Sequence, residues 1–212
     1  MKIIALSCSP SRKRNSDTML DHFLAGAETV DGIEIEKIYL EDIPIDMYHH
    51  ANSKGTEDHE QAFAELARKL TDEATGLVIA TPTYNFSVPG HLKNFIDRMR
   101  FFALDVKQRN KFNQPVGKLG HLKTYFLVSG GTPNWAEKIL FFTFPAFWLR
   151  GLFLYFGAKV MGATYSGDIR TFENTKVLKK CHNDGIHYAE HLIHGHSHGI
   201  LESIFWRPPQ VK

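Results

Sequence analysis

The sequence predicts a single α/β domain built on a doubly wound parallel sheet with helices on both faces. Five short apolar runs alternate along the chain with five longer stretches whose apolar residues recur at helical spacing. The runs are rich in Ile, Val, Leu and aromatic residues, which is typical of parallel strands buried on both faces. Regular strand–helix alternation favours a parallel sheet over an antiparallel one, and 212 residues suit one such domain.

The predicted elements follow one another in a regular order. Strands are expected at residues 2–6, 33–40, 76–80, 123–128 and 158–165. Helices are expected at residues 17–30, 57–73, 89–102, 135–156 and 171–193. Residues 44–56 and 107–120 show no periodicity and contain turn-forming residues, so we predict loops there. The folded domain is expected to span residues 1–195, and residues 196–212 to form an extended or frayed tail.

Composition excludes several classes of protein. The net charge of +2 gives no strong field for nucleic acid, so we expect no nucleic-acid partner. The two cysteines, Cys8 and Cys181, are too few for a disulfide framework, which favours a reduced, cytoplasmic setting.

Residues 139–157 form an apolar, aromatic segment about as long as a membrane span. Arg150 falls near its middle and Pro145 interrupts it, and a charge is costly in lipid. We therefore expect a buried or dimer-facing helix rather than a span, with a helix lying on the membrane surface as the next alternative.

The loop after the first predicted strand, residues 7–16, has the composition of a phosphate-binding loop. It precedes a helix, whose N-terminus offers free N–H groups and a positive dipole end. Hydroxyl, amide and guanidinium groups come from Ser9, Ser11, Arg12, Arg14, Asn15 and Ser16. The loop lacks the glycine patterns of dinucleotide and P-loop sites, so a monophosphate fits better than a pyrophosphate. By the residues alone, Asn15 or Ser16 could instead simply cap the helix.

A second loop follows the third predicted strand, and a helix begins near Pro89. Its residues from Pro82 to Phe86 combine an aromatic side chain, small polar groups and backbone N–H groups. That combination suits a flat heteroaromatic ring whose edge needs hydrogen bonds.

The segment TPTYNFSVPGHLKNFIDR, residues 81–98, resembles the isoalloxazine-binding segment of NAD(P)H-dependent FMN reductases and related flavodoxin-like quinone reductases. The loop SCSPSRKRNS, residues 7–16, resembles their phosphate loop, and the resemblance extends over most of residues 1–170. It implies a flavodoxin-like fold with strand order 2-1-3-4-5, bound FMN, and NAD(P)H as co-substrate. The chain departs from the pattern at Cys8, often Gly, and at Ser11, frequently Arg. It lacks the four-cysteine run of iron–sulfur relatives, so no cluster is expected.

The resemblance also implies which residues form the site. Contacts to the FMN phosphate are implied for Ser9, Arg12, Asn15 and Ser16. Contacts to the isoalloxazine ring are implied for Pro82, Thr83, Tyr84, Asn85 and Phe86. The pyrimidine side of the ring is implied to meet the loop containing Ser129, Gly130, Gly131 and Thr132. Because the flavin carries the redox chemistry, no catalytic acid or base is singled out.

We therefore predict an FMN-dependent oxidoreductase that transfers electrons from NAD(P)H through FMN to a small acceptor, such as a quinone or free flavin. The resemblance also implies a homodimer in which the partner chain completes the pocket. One alternative is a flavodoxin-type electron carrier without NAD(P)H turnover, although such carriers are usually strongly acidic. Another is a membrane-surface protein that uses the aromatic segment.

The C-terminal part is rich in histidine. His187, His191 and His194 have spacings that place them near one face of a helix, which can suit zinc or copper. No Glu follows His187 in the pattern of a zinc protease, so we expect a solvated helix and no metal site.

Overall fold

The computed structural model describes residues 1–49, 58–139 and 145–194. Seven strands are present in these ranges: β1 (Lys2–Ser7), β2 (Glu34–Tyr39), β3 (Gly76–Pro82), β4 (Leu104–Arg109), β5 (Pro115–Gly117), β6 (Lys123–Ser129) and β7 (Lys159–Ser166). Five of them form one parallel sheet in the order β2-β1-β3-β6-β7. The predicted doubly wound sheet and its order, 2-1-3-4-5, are confirmed.

Helices cover both faces of this sheet, as predicted. They are α1 (Asn15–Ala27), α2 (Gln61–Arg68), α3 (Gly90–Ala103), α4 (Asn134–Ile139), α5 (Pro145–Tyr155) and α6 (Thr175–His194), and α2 continues into a π-helical turn, Lys69–Glu73. One apolar cluster joins the sheet to α2, α3 and α5, and a second joins it to α1 and α6.

The strand β1 shows why the apolar runs read as continuous. Ile4 and Leu6 belong to the first cluster, while Ile3 and Ala5 belong to the second. Successive side chains of a strand point to opposite faces. Because both faces are covered by helices, the central positions Ile3 to Leu6 are all apolar, and the periodicity of a half-exposed strand is absent.

The prediction of a loop at residues 107–120 was wrong in part. β4 and β5 pair there as a two-stranded antiparallel ribbon outside the main sheet. The turn is closed by Asn110, whose Oδ1 accepts the N–H groups of Phe112 and Gln114 at 2.9 and 3.0 Å. The ribbon is mostly exposed, so it lacks the buried apolar pattern that would have revealed it in the sequence.

Within the helix predicted at residues 135–156, the structure describes α4 and α5, and residues 140–144 lie outside the described residues. Leu149 and Phe153 are buried in the core, whereas Phe147 and Tyr155 are 42% and 40% exposed. The aromatic segment therefore supplies core residues and also leaves aromatic surface exposed.

Within the described parts of the chain, no helix is both long enough and apolar enough to cross a membrane. The predicted tail, residues 196–212, and most of the loop predicted at residues 44–56 lie outside the described residues.

Candidate functional site

Three loops meet at one edge of the sheet because β1, β3 and β6 are adjacent and parallel. The N–H of Cys8 donates to Ala80 O at 2.8 Å, and the N–H of Thr83 donates to Ser129 O at 2.7 Å. These bonds tie together the starts of the three loops. The carboxyl edge of an open α/β sheet is where ligands bind, and we call these loops, residues 8–14, 83–89 and 130–133, the three-loop site.

The first loop is braced by Asp17, a residue that the sequence analysis did not single out. Its buried carboxylate accepts Ser7 Oγ at 2.8 Å, the N–H of Lys13 at 2.7 Å and Lys37 Nζ at 2.8 Å. Burial alone raises the pKa of Asp17, but the hydrogen bonds from Lys37, Lys13 and Ser7 outweigh it and hold the pKa below its ordinary value. The bond to Lys13 stabilises a left-handed residue, φ 56°, in the loop.

The hydroxyl of Ser16 lies buried at the N-terminus of α1. Ser16 is 1% exposed, and its Oγ has no hydrogen-bond partner among the described residues. No side chain caps this helix, so the alternative that Asn15 or Ser16 serves only as a cap is wrong. A buried hydroxyl without a partner is unfavourable, and its position beside free helix N–H groups suits an anion.

The other residues predicted to contact the phosphate have partners within the protein. Ser9 Oγ accepts the N–H of Ser11 at 3.1 Å and donates to its carbonyl at 3.0 Å. Asn15 Nδ2 donates to Ile169 O at 3.1 Å, and its Oδ1 accepts the N–H of Phe172 at 3.3 Å. Ser9 therefore shapes the turn, and Asn15 ties it to the loop after β7.

Arg12 is held on the β2 side of the first loop. Its Nε donates to Glu41 Oε1 at 3.0 Å, and its guanidinium also contacts Asp42. It lies 4.2 Å from the centre of the Tyr39 ring. The structure thus places Arg12 among carboxylates. Among the described residues, no contact joins the guanidinium of Arg12 to the hydroxyl of Ser16.

The second loop is a tight turn that displays two aromatic side chains. Tyr84 and Ser87 exchange both backbone hydrogen bonds at 2.9 Å. Between them, Asn85 and Phe86 are both left-handed, at φ 51° and 63°, which defines a type I′ turn. Tyr84 is 46% and Phe86 is 61% exposed. A bulky residue at positive φ is strained, and such strain concentrates at functional sites.

The second and third loops meet at Thr83 and Gly130. Thr83 Oγ1 is buried without a hydrogen-bond partner in the described chain. A Cβ on Gly130 would lie 3.3 Å from Thr83 Oγ1 and 2.8 Å from Tyr165 Oη. A side chain at position 130 would displace the Tyr165 hydroxyl and crowd Thr83, so glycine favours this close approach of the third loop to the second. Ser129, at the end of β6, is buried, and Gly131 is exposed.

His91 is a further polar residue that the sequence analysis did not predict. It lies at the start of α3, and its Nε2 is buried with no partner in the described ranges. Burial lowers the pKa of His91, although a hydrogen bond with the backbone of Cys8 and the charge of Glu41 oppose this. The ring is therefore favoured in its neutral form.

A groove of about 430 Å³ opens beside the third loop. It is lined by Asn134, Trp135, Gly167, Asp168 and Ile169. Trp135 and Ile169 are 66% and 74% exposed, so its walls are largely apolar. Ile169 would lie 3.7 Å from a Cβ on Gly131, which places the groove against the three-loop site. No motif in the sequence marks these residues, because they come together only through β6 and β7.

The predicted histidine face lies on α6, and His196 and His198 lie outside the described residues. Among the residues that the structure describes, no group of three or more His, Cys, Asp or Glu is arranged to hold a metal ion. Cys8 and Cys181 are both buried and free, and burial raises the pKa of each thiol.

Comparison with known proteins finds relatives both in sequence and in structure. A family model described as NADPH-dependent FMN reductase matches residues 1–139. The FMN-dependent NADH:quinone oxidoreductase of Mycoplasma pneumoniae is 30% identical over 190 residues, which cover 84% of this chain and 86% of that protein. The FMN-dependent NADH:quinone oxidoreductase 1 of Hahella chejuensis is 45% identical over 82 residues, 37% of this chain and 39% of that protein. An iron-sulfur flavoprotein of Archaeoglobus fulgidus is 33% identical over 119 residues, 55% of this chain and 58% of that protein. The matches to the Hahella and Archaeoglobus proteins thus span less than two thirds of those proteins.

Solved structures share the fold at low sequence identity. A structure described as an FMN-dependent NADH-azoreductase from Bacillus anthracis in complex with FMN has a TM-score of 0.65 at 18% identity, covering 90% of this chain and 98% of that chain. The protein Smu.1420 from Streptococcus mutans has a TM-score of 0.71 at 18% identity, covering 88% of this chain and 100% of that chain. With its flavodoxin-like fold and the match over residues 1–139, the chain belongs to the NADPH-dependent FMN reductase family.

Proposed function

We propose that this chain binds FMN at the three-loop site and transfers electrons from NAD(P)H to a small acceptor, such as a quinone or free flavin. The observation that carries the proposal is the pair of buried hydroxyl oxygens without partners, Ser16 Oγ and Thr83 Oγ1. Ser16 lies at the start of α1, directly after the first loop, and Thr83 begins the second loop. A ligand that spans both loops would satisfy the two hydroxyls.

The first loop fits the phosphate end of FMN. Ser16 Oγ and the free N–H groups at the start of α1 are donors for an anion. The bonds of Asp17 hold the backbone of the loop in the shape that presents them. Ser9 and Asn15 support this loop from within, whereas the guanidinium of Arg12 is held by Glu41 and Asp42 at its edge.

The second and third loops fit the ring of FMN. The type I′ turn from Tyr84 to Ser87 places exposed aromatic side chains beside the end of β3, next to Pro82 and Thr83. The close approach of Gly130 leaves backbone, rather than a side chain, facing the proposed ring edge. We propose that Ser129, Gly130 and Gly131 face the pyrimidine side.

Bound FMN would supply the hydride and electron transfer. The chain's contribution is to hold the cofactor, expose one face of the ring and receive the second substrate. The groove walled by Trp135 and Ile169 lies against the third loop and suits a planar aromatic acceptor. Relatives named FMN-dependent NADH:quinone oxidoreductases support a quinone as that acceptor.

The test is to mix the purified protein with FMN and NADH or NADPH without oxygen, and then to add a quinone. Loss of the visible flavin absorption, followed by its return with the quinone, is the expected result. A protein that takes up no FMN would refute the proposal. Uptake of FMN that dithionite bleaches, but NAD(P)H does not, would instead indicate an electron carrier.

A matched pair of substitutions tests the site itself. We expect Thr83→Val to weaken FMN binding, because it removes the buried hydroxyl and keeps the shape of the side chain. Thr29→Val, on an exposed residue just after the C-terminal end of α1, is the control and should bind FMN as the wild type does. Equal affinity in both variants would show that the ring lies elsewhere.

We also propose a homodimer in the cytoplasm. The exposed aromatic residues Phe147 and Tyr155 of α5 support an interface between two copies. The free, buried cysteines support a reducing compartment. Light scattering of the purified protein measures the mass, and a monomer at micromolar concentration would contradict the dimer.

A further inference from the structure

Two of the cations near the first loop are already held by carboxylates. Arg12 donates to Glu41 at 3.0 Å and contacts Asp42. Lys37 lies 2.8 Å from the buried Asp17 and also pairs with Asp21. A phosphate placed against Arg12 would meet two carboxylates as well, and their repulsion would offset much of the attraction.

Arg14 differs from both of these cations. It is exposed, it directly precedes α1, and it has no carboxylate within salt-bridge distance among the described residues. Its guanidinium lies 5.9 Å from the centre of the Phe172 ring. The N–H of Phe172 is held by Asn15 Oδ1, the first residue of the helix. Arg14 therefore lies where the start of α1 meets the segment after β7.

We infer that Arg14, rather than Arg12, is the cation that neutralises the cofactor phosphate. This inference rests on the proposed function. A phosphate monoester carries between one and two negative charges at neutral pH, and the hydroxyl of Ser16 and the helix N–H groups are neutral donors. Arginine offers two parallel N–H groups to two phosphate oxygens, and Arg14 brings them two residues before Ser16.

Riboflavin has the same ring as FMN but lacks the phosphate. Comparing the affinities for the two flavins therefore distinguishes contacts to the phosphate from contacts to the ring. Hydrogen bonds to charged groups contribute about 1.5–3 kcal/mol, so Arg14→Gln should weaken FMN binding about tenfold or more. Riboflavin binding should stay within about twofold, because no phosphate is lost. Arg12→Gln is the matched control and should change neither affinity more than about threefold, since its carboxylate pairs are on the surface.

The dissociation constants come from quenching of flavin fluorescence. A larger loss of FMN affinity in Arg12→Gln than in Arg14→Gln overturns the inference. So does an equal loss of FMN and riboflavin affinity in Arg14→Gln, because a phosphate contact affects FMN alone. Arg14→Lys retains the charge without the paired N–H groups and should bind FMN with intermediate affinity; affinity as low as that of Arg14→Gln would contradict a role for the charge.

Inorganic phosphate distinguishes failure of this inference from failure of the proposed function. Phosphate should raise the thermal unfolding midpoint of the wild type and of Arg12→Gln, and less so that of Arg14→Gln. If the wild type binds no flavin but shows this pattern, Arg14 still serves an anion site while the flavin proposal fails. If the wild type binds FMN and Arg14→Gln binds it equally well, the flavin proposal stands and the role of Arg14 is refuted. If neither flavin nor phosphate binds, both fail.

Discussion

Replacing Asp17 with Asn removes the charge that braces the first loop while keeping the shape of the side chain. The carboxylate is fully buried and accepts hydrogen bonds from Ser7, Lys13 and Lys37. The variant leaves Lys37 with one carboxylate, Asp21, and presents an amide NH₂ group where a carboxylate oxygen accepted a donor.

The expected cost follows from burial. Removing one partner of a buried ion pair costs about 3–5 kcal/mol. Lys37 is 21% exposed and keeps Asp21, so it regains part of its solvation and pairing. We therefore expect the free energy of unfolding to fall by about 2–3 kcal/mol, somewhat less than that range.

Asp21→Asn provides the control, because it removes the other partner of the same lysine. Asp21 is 52% exposed, and an exposed pair contributes about 1 kcal/mol or less. Urea unfolding followed by far-UV circular dichroism gives both values. If Asp17→Asn costs no more than Asp21→Asn, the reasoning from burial is refuted.

The difference between wild type and Asp17→Asn should also depend on pH. The folded pKa of Asp17 lies below its unfolded value, which is near 3.8. Its stabilising contribution is therefore fully present above that value and is lost as the pH falls through the folded pKa. A difference in stability that persists unchanged well below pH 3.8 would contradict this sign.

Three further variants test other parts of the structure. Glu60→Gln breaks a fully buried ion pair with Arg98, at 2.6 Å, and should cost about 3–5 kcal/mol in urea unfolding; a cost below about 1 kcal/mol would count against it. Ser16→Ala should leave unfolding unchanged but weaken FMN binding about fivefold to tenfold in a fluorescence titration; unchanged FMN affinity would place the phosphate elsewhere. Trp135→Ala, at a residue 66% exposed, should change stability by less than about 0.5 kcal/mol. It should raise KM for a quinone several-fold in steady-state assays, and an unchanged KM would exclude Trp135 from the acceptor site.

Much of the fold follows from local patterns. The five sheet strands lie within two residues of their predicted bounds, because a strand buried on both faces must be continuously apolar. The ribbon of β4 and β5 was missed because its side chains face solvent and its pairing depends on the turn at Asn110.

Some features of the candidate site could likewise be predicted from the sequence, and others could not. The sequence placed Thr83 in a binding loop because it directly follows β3, and Ser16 because it lies where the loop after β1 leads into α1, both at the carboxyl edge of the sheet. The family resemblance implied that Arg12 contacts the phosphate, whereas the carboxylates that hold its guanidinium, Glu41 and Asp42, lie about thirty residues away in sequence. Such contacts leave no local pattern.

The sequence by itself determined the order of strands and helices, the two binding loops and the resemblance to a reductase family, since each depends on residues close together in the chain. Only the tertiary structure decided which groups in those loops remain without partners. Asp17 of α1 pairs with Lys37 of β2, and Arg12 pairs with Glu41. Gly130, after β6, packs against Thr83, after β3. Charged and polar groups pair with the groups that lie near them in space. Residues far apart in the sequence become neighbours because the strands that carry them pair in the sheet.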